Sequence, residues 1–190
     1  KAIINLYASI LPKYRGASCI QFAIGNGDAE TGVTIMHVIR ELDAGDIISV
    51  KKIAIGEQET AGELHERLAE LGPAALAEAL DILAKDPHAG TQQNPAQVTY
   101  APKLVREDGR IDFTQPAEAT ERIIRAYHPW PGTFTEVPVK GKTKRLKIFP
   151  PVEIREHPLP AGELAIHEGE LLIGCGEKSL ALSEVQPEGS

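Results

Sequence analysis

The chain has 190 residues, of which 42% are apolar, and a formal net charge of −7 at pH 7. This composition is typical of a globular protein with one large domain or two small ones. No run of about 18 uncharged apolar residues occurs, and no secretory signal pattern opens the sequence, so a membrane-spanning segment is not predicted. Cys19 and Cys175 lie far apart, which predicts free thiols and argues against a disulfide framework or a structural zinc site.

The first part of the sequence alternates strand and helix patterns. Residues 2–5 are apolar and β-branched, and predict the end of a buried strand that is followed by a loop. A short helix is expected over 18–25, with Ser18 as a possible cap and Gly25 as a stop signal. Two further strands are expected over 32–38 and 47–55, joined by a turn that is rich in carboxylates.

A longer helix is predicted over residues 60–85. Thr60 and Glu63 form a capping-box pattern at its start. Gly72-Pro73 is expected to break or kink it. Its apolar stripe consists of Leu64, Leu68, Leu71, Leu76, Leu80 and Leu83.

Residues 86–98 are rich in Pro, Gly, Gln and Asn and predict a linker, after which the pattern of the sequence changes. A short amphipathic helix follows over 117–127. Beyond it lie short β-prone segments separated by Gly and Pro, a spacing that favours a small antiparallel barrel. These segments are 132–135, 145–149, 163–167, 170–173 and 179–185.

The negative charge is unevenly distributed. Residues 103–155 carry 11 Lys and Arg against 7 Asp and Glu, a local charge of +4. Near-alternate cations of this region could share one face of a β-hairpin and contact phosphates, although a solvated basic face would look the same. They are Lys140, Lys142, Lys144, Arg145 and Lys147.

Two polar residues occupy positions where chemistry is common. Asn5 follows an apolar strand, so its amide could donate to an oxyanion, or it could simply cap a loop. Asp43 stands among other acids in a tight turn, where a carboxylate can serve in proton transfer or only form the turn. The loop Ser9-Ile10-Leu11-Pro12 could line a flat, partly apolar ligand, and the histidines share no metal-ligand spacing.

Six stretches in register resemble the methionyl-tRNA formyltransferase family over nearly the whole chain. They are NLYASILPKYRGA (5–17), GDAETGVTIM (27–36), LDAGDII (42–48), ELGPAAL (70–76), TYAPKLVREDGRIDF (99–113) and IRAYHPWPGTF (124–134). The last two favour the tRNA enzyme over other folate-dependent formyltransferases.

The resemblance implies transfer of a formyl group from 10-formyltetrahydrofolate to the α-amine of methionine on initiator tRNA. The family's folate signature falls on Ser9, Ile10, Leu11 and Pro12, with Ile10 where Leu is usual. Its catalytic Asn-His-Asp trio falls on Asn5, Tyr7 and Asp43, so that Tyr7 stands at the position of the His. No metal is implied.

The resemblance also implies the organisation of the chain and its partners. The α/β fold would comprise the C-terminal part of a Rossmann-like formyltransferase domain (1–87), a linker (88–102) and an OB-like antiparallel β-barrel domain (103–190). Initiator methionyl-tRNA would bind Arg15 together with the basic residues of the second domain. We expect a monomer, in the cytoplasm or an organelle matrix, and we interpret the chain as part of a longer one that has further sequence at both ends.

The tyrosine at position 7 leaves alternative functions open for this chain. The pKa of a tyrosine, about 10, makes it a poor proton shuttle near neutral pH, so the chain could be a weak or inactive relative that binds tRNA or folate. A formyltransferase for amino sugar nucleotides would share the same trio. The basic region and the Pro129-Trp130-Pro131 segment argue against that third reading.

Overall fold

The computed structural model describes residues 2–190 and divides the chain into two compact units. The first unit extends to Ala23 and from Asp28 to Lys103, and the second comprises Ile24–Gly27 and Leu104–Ser190. No helix among the described residues is long and apolar enough to cross a membrane. The domain boundaries drawn from the sequence remain a prediction.

A three-stranded antiparallel sheet forms the centre of the first unit. Its strands are β1 (Ile4–Tyr7), β2 (Glu30–His37) and β3 (Ile47–Ala54), in the order β1-β2-β3. The middle strand, β2, is almost wholly buried, and Val33 and Ile35 have no exposed surface. Burial on both faces explains the near-continuous apolar run that predicted this strand.

The prediction of a buried strand over residues 2–5 is wrong. The strand is β1, and Asn5 within it is exposed, while Ile3 before it is 71% exposed. The reason is that β1 pairs with β2 alone and forms an edge of the sheet as described.

Two helices occur in this part of the chain: α1 (Cys19–Gly25), whose last two residues fall in the second unit, and α2 (Ala61–Lys85). The capping box is present, because the Glu63 N–H donates to Thr60 Oγ1 and the Thr60 N–H donates to the Glu63 carboxylate. The expected break at Pro73 is wrong, since α2 runs through it. Packing of α2 on β2 and β3 stabilises a helix that Pro73 deprives of one backbone hydrogen bond.

The apolar stripe of α2 also differs from the prediction in its second half. Leu64 and Leu68 are buried as expected, but Leu76 and Leu80 are 37% and 52% exposed. Gly72, Ala75 and Ala79 are buried instead. Small side chains therefore face the sheet along the second half of α2, and Leu76 and Leu80 lie outside, whereas Leu83 is half-buried.

The second unit begins with a 3₁₀ turn (Arg106–Gly109) and α3 (Ala117–Ala126). A five-stranded antiparallel sheet follows, in the order β4-β5-β8-β7-β6. Its strands are β4 (Thr133–Val139), β5 (Lys142–Arg155), β6 (Leu164–His167), β7 (Glu170–Gly174) and β8 (Ser179–Pro187). The core between α3 and this sheet contains Phe113, Ala117, Ile124, Ile148, Val152, Ile173, Cys175 and Leu180.

The long strand β5 curls the sheet. It pairs with β4 through its first half and with β8 from Leu146 onward, and its register shifts between Phe149 and Val152. A bulge of this kind bends a strand and increases its twist. The antiparallel sheet expected in this part of the chain is therefore present, and β4 and β6 are its edges within residues 2–190.

Candidate active site and basic face

Asn5 and Tyr7 lie two positions apart on β1, so their side chains start from the same face of the strand. β1 pairs with β2 there, with Asn5 opposite Met36 and Tyr7 opposite Thr34. Within residues 2–190 the carboxamide of Asn5 has no hydrogen-bond partner, and the residue is exposed. Its NH₂ group is thus available to a ligand.

The hydroxyl of Tyr7 lies within hydrogen-bond reach of the carbonyl oxygens of Tyr14 and Gly16, and its one proton can be donated to either. Burial raises the pKa of Tyr7 above its ordinary value, and the nearby Cys19 and Asp43 raise that pKa further. The phenol therefore remains protonated near neutral pH and can donate a hydrogen bond there, but it cannot act as a base.

Asp43 reaches the same loop from the turn between β2 and β3. Its φ is 51°, a left-handed conformation that Asp tolerates better than most residues. Its Oδ2 accepts a hydrogen bond of 2.9 Å from the backbone N–H of Gly16. Gly16 has a φ of 114°, and a Cβ there would stand 2.5 Å from the carbonyl oxygen of Ala101. Only glycine fits at this position.

Gln93 holds the backbone of the Asp43 turn, a role that no pattern in the sequence indicates. Its side-chain nitrogen donates to the carbonyl oxygens of Asp43 at 2.8 Å and Gly45 at 2.9 Å. Gln93 lies in the segment that was predicted to be a linker. A spacer-like composition does not reveal which of its residues contacts a distant turn.

Arg15 is buried in the same region of the first unit. Its guanidinium donates to Gln93 Oε1 and forms an ion pair with Glu41 at 3.2 Å. Only 7% of its side chain is exposed. These contacts give Arg15 a structural role, and its predicted contact with tRNA remains a prediction.

The loop of Ser9, Ile10, Leu11 and Pro12 is fixed by its two buried members. Ser9 Oγ donates to the Lys13 carbonyl at 2.5 Å, and Thr34 Oγ1 donates to the Ser9 carbonyl at 2.6 Å. The side chains of Ser9 and Leu11 face inward, whereas those of Ile10 and Pro12 are half-buried. The loop can therefore offer one apolar wall to a flat ligand.

The predicted cations of the second unit lie on the β4–β5 hairpin. Lys140 and Gly141 have φ values of 50° and 74° and form a two-residue turn, as type I′ hairpins require. On β5, Lys142 and Lys144 alternate in register with the buried Leu146. Because successive residues of a strand face opposite sides, Arg145 and Lys147 project from the other side, so the five cations do not share one face.

Arg145 and Lys147 border a cavity of about 760 Å³ that Trp130 and Phe134 also line, here called the Phe134 groove. The guanidinium of Arg145 stacks 4.2 Å from the centroid of the Phe134 ring and forms an ion pair with Glu107 at 2.6 Å. In the described part of the chain, Lys147 has no acidic partner. Aromatic rings beside an unpaired cation are chemically suited to an unpaired base and its phosphate.

Within residues 2–190, no group of three or more His, Cys, Asp or Glu side chains is arranged to hold a metal ion. The rings of His157 and His167 stack with 3.9 Å between their centroids, but among the described residues no third ligand completes a metal site with them.

The two units match the two domains of a formyl transferase, and the chain belongs to that family. The family model described as formyl transferase matches residues 1–80, and the one described as formyl transferase, C-terminal domain, matches residues 103–190. Among curated proteins, the methionyl-tRNA formyltransferase of Akkermansia muciniphila is 47% identical over 98% of this chain and 60% of its own length.

Solved structures share the fold. An N-formyltransferase from Helicobacter canadensis, in complex with folinic acid and dTDP-3-aminofucose, matches with a TM-score of 0.72 at 18% identity, over 95% of this chain and 65% of its own. HypX from Aquifex aeolicus, in complex with tetrahydrofolic acid, matches with a TM-score of 0.70 at 22% identity, over 97% of this chain and 32% of its own. The chain spans about 60% of the length of the curated relatives that it matches.

Proposed function

We propose that the protein transfers a formyl group from 10-formyltetrahydrofolate to the α-amine of methionyl initiator tRNA. The observation that carries this proposal is the convergence of Tyr7 and Asp43 on Gly16, with Asn5 on the same face of β1. The similarity to a protein named methionyl-tRNA formyltransferase, over 98% of the chain, supports the choice of substrate.

The roles follow from the chemistry of each side chain. In formyl transfer an amine attacks the formyl carbon, so that the new C–N bond forms, the bond to the folate nitrogen breaks, and one proton passes from the amine to that nitrogen. The unpartnered Asn5 carboxamide donates a hydrogen bond to the oxygen on which negative charge develops. Asp43 takes this proton from the amine and returns it to the folate nitrogen, whereas the neutral Tyr7 phenol can only donate a hydrogen bond.

Tyr7 also supports a second proposal, that of a weak or inactive relative that binds tRNA or folate. The phenol is protonated near neutral pH and lies close to two backbone carbonyls. A group held in this way stabilises the loop. It does not move a proton as an imidazole with a pKa of about 6.5 would.

We further propose that the loop of Ser9, Ile10, Leu11 and Pro12 forms one wall of the folate site. Its half-buried Ile10 and Pro12 offer the apolar surface that a flat ring requires, whereas Ser9 and Leu11 hold the loop in shape. The first unit would then be part of a Rossmann-like domain and the second an OB-like barrel. The protein would act as a monomer in the cytoplasm or an organelle matrix.

The tRNA partner is proposed to contact the second unit. The hairpin cations and the Phe134 groove support this, because Lys140, Lys142, Lys144 and Lys147 have no ion-pair partner within residues 2–190. Such side chains gain most from phosphate contacts. Arg15, which is already paired with Glu41, would contribute less to tRNA binding.

The test is formylation of methionyl initiator tRNA by the full-length protein with 10-formyltetrahydrofolate. Transfer to the tRNA, with none to an amino sugar nucleotide, is the expected result. Binding of tRNA without transfer would establish the second proposal instead. Transfer to the sugar nucleotide alone would overturn both.

A further inference from the structure

We propose that Gln93 is a positioning residue that holds the Asp43 turn against the Gly16 loop. This inference deepens the proposed function and rests on it in one respect only, the assignment of Asp43 to the reacting site. The contacts that carry it all lie within the first unit.

The side chain of Gln93 uses both ends of its carboxamide. The nitrogen donates to the carbonyl oxygens of Asp43 and Gly45, and the oxygen accepts from Nε and Nη2 of Arg15 at 3.1 and 2.9 Å. Gln93 is 4% exposed and Arg15 is 6% exposed. Buried hydrogen bonds of this kind fix the orientation of the groups that they join.

Arg15 connects this carboxamide to the Gly16 loop. Its backbone N–H donates to the Thr99 carbonyl at 2.9 Å, and its carbonyl accepts from the Ala101 N–H at 2.8 Å. The next residue, Gly16, donates its own N–H to Asp43 Oδ2. The Asp43 turn is thus held twice, at its carboxylate by Gly16 and at its backbone by Gln93.

The segment that carries Gln93 is itself tied to the first unit on both sides. Thr91 exchanges two backbone hydrogen bonds of 2.8 Å with Ile47, at the start of β3. Thr99 and Ala101 pair with the loop, as described above. The backbone of Gln93 is therefore fixed independently of the Asp43 turn. For this reason its side chain can determine where the turn lies.

Loss of the Gln93 contacts is expected to lower the rate of the reaction and to leave substrate binding unchanged. Among the described residues, the backbone of the Asp43 turn is hydrogen-bonded to Gln93 through the carbonyls of Asp43 and Gly45, so loss of the Gln93 contacts frees the Asp43 carboxylate to leave Gly16. Displacement of a reacting group by about 1 Å can lower a rate about 10²-fold. Substrate binding elsewhere would change little, so kcat should fall and KM should not.

The experiment compares Gln93→Glu with Gln92→Glu in the full-length protein. Gln93→Glu keeps the size of the side chain and its contact with Arg15, but it places oxygens against the two carbonyls of the turn. Gln92 is the exposed neighbour, so Gln92→Glu adds the same charge one residue away. Gln93→Glu should lower kcat about 10²-fold and leave KM for the tRNA within about threefold, whereas Gln92→Glu should change neither.

A second readout needs no activity. The amide proton of Gly16, which is hydrogen-bonded to Asp43 Oδ2, should exchange slowly with solvent in the wild-type protein and markedly faster in Gln93→Glu, as NMR can measure. If Gln93→Glu does not fold, the uncharged Gln93→Met serves in its place. An unchanged exchange rate of the Gly16 amide proton, or an equal fall in kcat for both glutamate variants, would overturn the proposal. A wild-type protein without transferase activity would overturn the proposed function alone.

Discussion

The backbone N–H of Gly16 donates to the Oδ2 of Asp43, and the carbonyl of the same Gly16 lies within hydrogen-bond reach of the Tyr7 hydroxyl. One peptide segment therefore connects a strand residue and a turn residue that lie 36 positions apart in the sequence. Because Tyr7 and Asp43 contact different backbone atoms of Gly16, either side chain can be replaced without changing the atom that the other contacts. This relationship makes the roles of Tyr7 and Asp43 separable by mutation.

Asp43→Asn is expected to lower formyl transfer about 10²- to 10⁴-fold, the range typical for loss of an acid–base group. The amide oxygen of the variant still accepts from Gly16, and Asn tolerates the left-handed backbone at this position. Thermal unfolding should therefore change little. Full activity of Asp43→Asn would show that the proton is accepted elsewhere.

Tyr7→His is expected to raise formyl transfer by about 10²-fold or more, because an imidazole exchanges protons near neutral pH and the phenol of Tyr7 does not. The measurement is formylation of charged initiator tRNA by the full-length protein. Tyr7→Phe is the matched control, since it keeps the ring and removes the hydroxyl. Equal rates for wild type and Tyr7→His would mean that position 7 takes no part in the proton transfer.

The sequence predicted the elements well where a single periodicity decides the structure. β2 and α3 lie where their patterns placed them, and the capping box of α2 is present as expected. The buried face in the second half of α2 was predicted wrongly, because the prediction chose the most hydrophobic residues, the leucines, and took no account of the space between helix and sheet. Small residues such as Ala75 and Ala79 are buried there, which depends on how close the helix lies to the sheet.

Candidate residues of the active site could be predicted from the sequence only where the side chain is of a type that commonly takes part in catalysis. Asn5 and Asp43 were predicted as candidates from their positions beside strands, and their roles stay a prediction. The contacts of Gln93 and the burial of Arg15 were not predicted. A glutamine contact across 50 positions, from Gln93 to Asp43, leaves no local pattern. The division of the hairpin cations between two faces was also missed, because it depends on the register of β5.

Gly45→Ala is expected to destabilise the protein by at least about 2 kcal/mol, because a Cβ at this position would stand 1.7 Å from the carbonyl oxygen of His37. The backbone of the Asp43 turn would have to move. Urea unfolding measures the change. Gly141→Ala is the control, since its Cβ would meet nothing within 4 Å and the cost is that of its φ of 74° alone, about 1 kcal/mol. Equal losses in the two variants would contradict the steric argument.

Cys19 and Cys175 are expected to resist alkylation in the native protein. They are 7% and 9% exposed, and burial raises the pKa of both thiols, so little thiolate forms at pH 8. Iodoacetamide should label neither thiol until urea unfolds the chain, when both should react.

The raised pKa values of the two thiols also determine how the free energy of unfolding changes at alkaline pH. Each thiol favours the folded state fully below its unfolded-state pKa of about 8.5, and this contribution is lost as the pH rises through the higher folded-state value. The free energy of unfolding should therefore decline at alkaline pH. A Cys19→Ala variant with an unchanged alkaline decline would exclude Cys19 as its source.

Lys147→Gln is expected to weaken tRNA binding several-fold and to reduce the slope of log K against log salt by about 1, as loss of one phosphate contact does. Lys178→Gln is the matched control in the same unit. Lys178 is already paired with Glu118 at 2.6 Å and Glu156 at 3.3 Å, so its charge is largely compensated in the free protein. The slope should therefore not change in Lys178→Gln. A slope that changes equally in the two variants would mean that net charge governs tRNA binding, and that the Phe134 groove is not a specific contact.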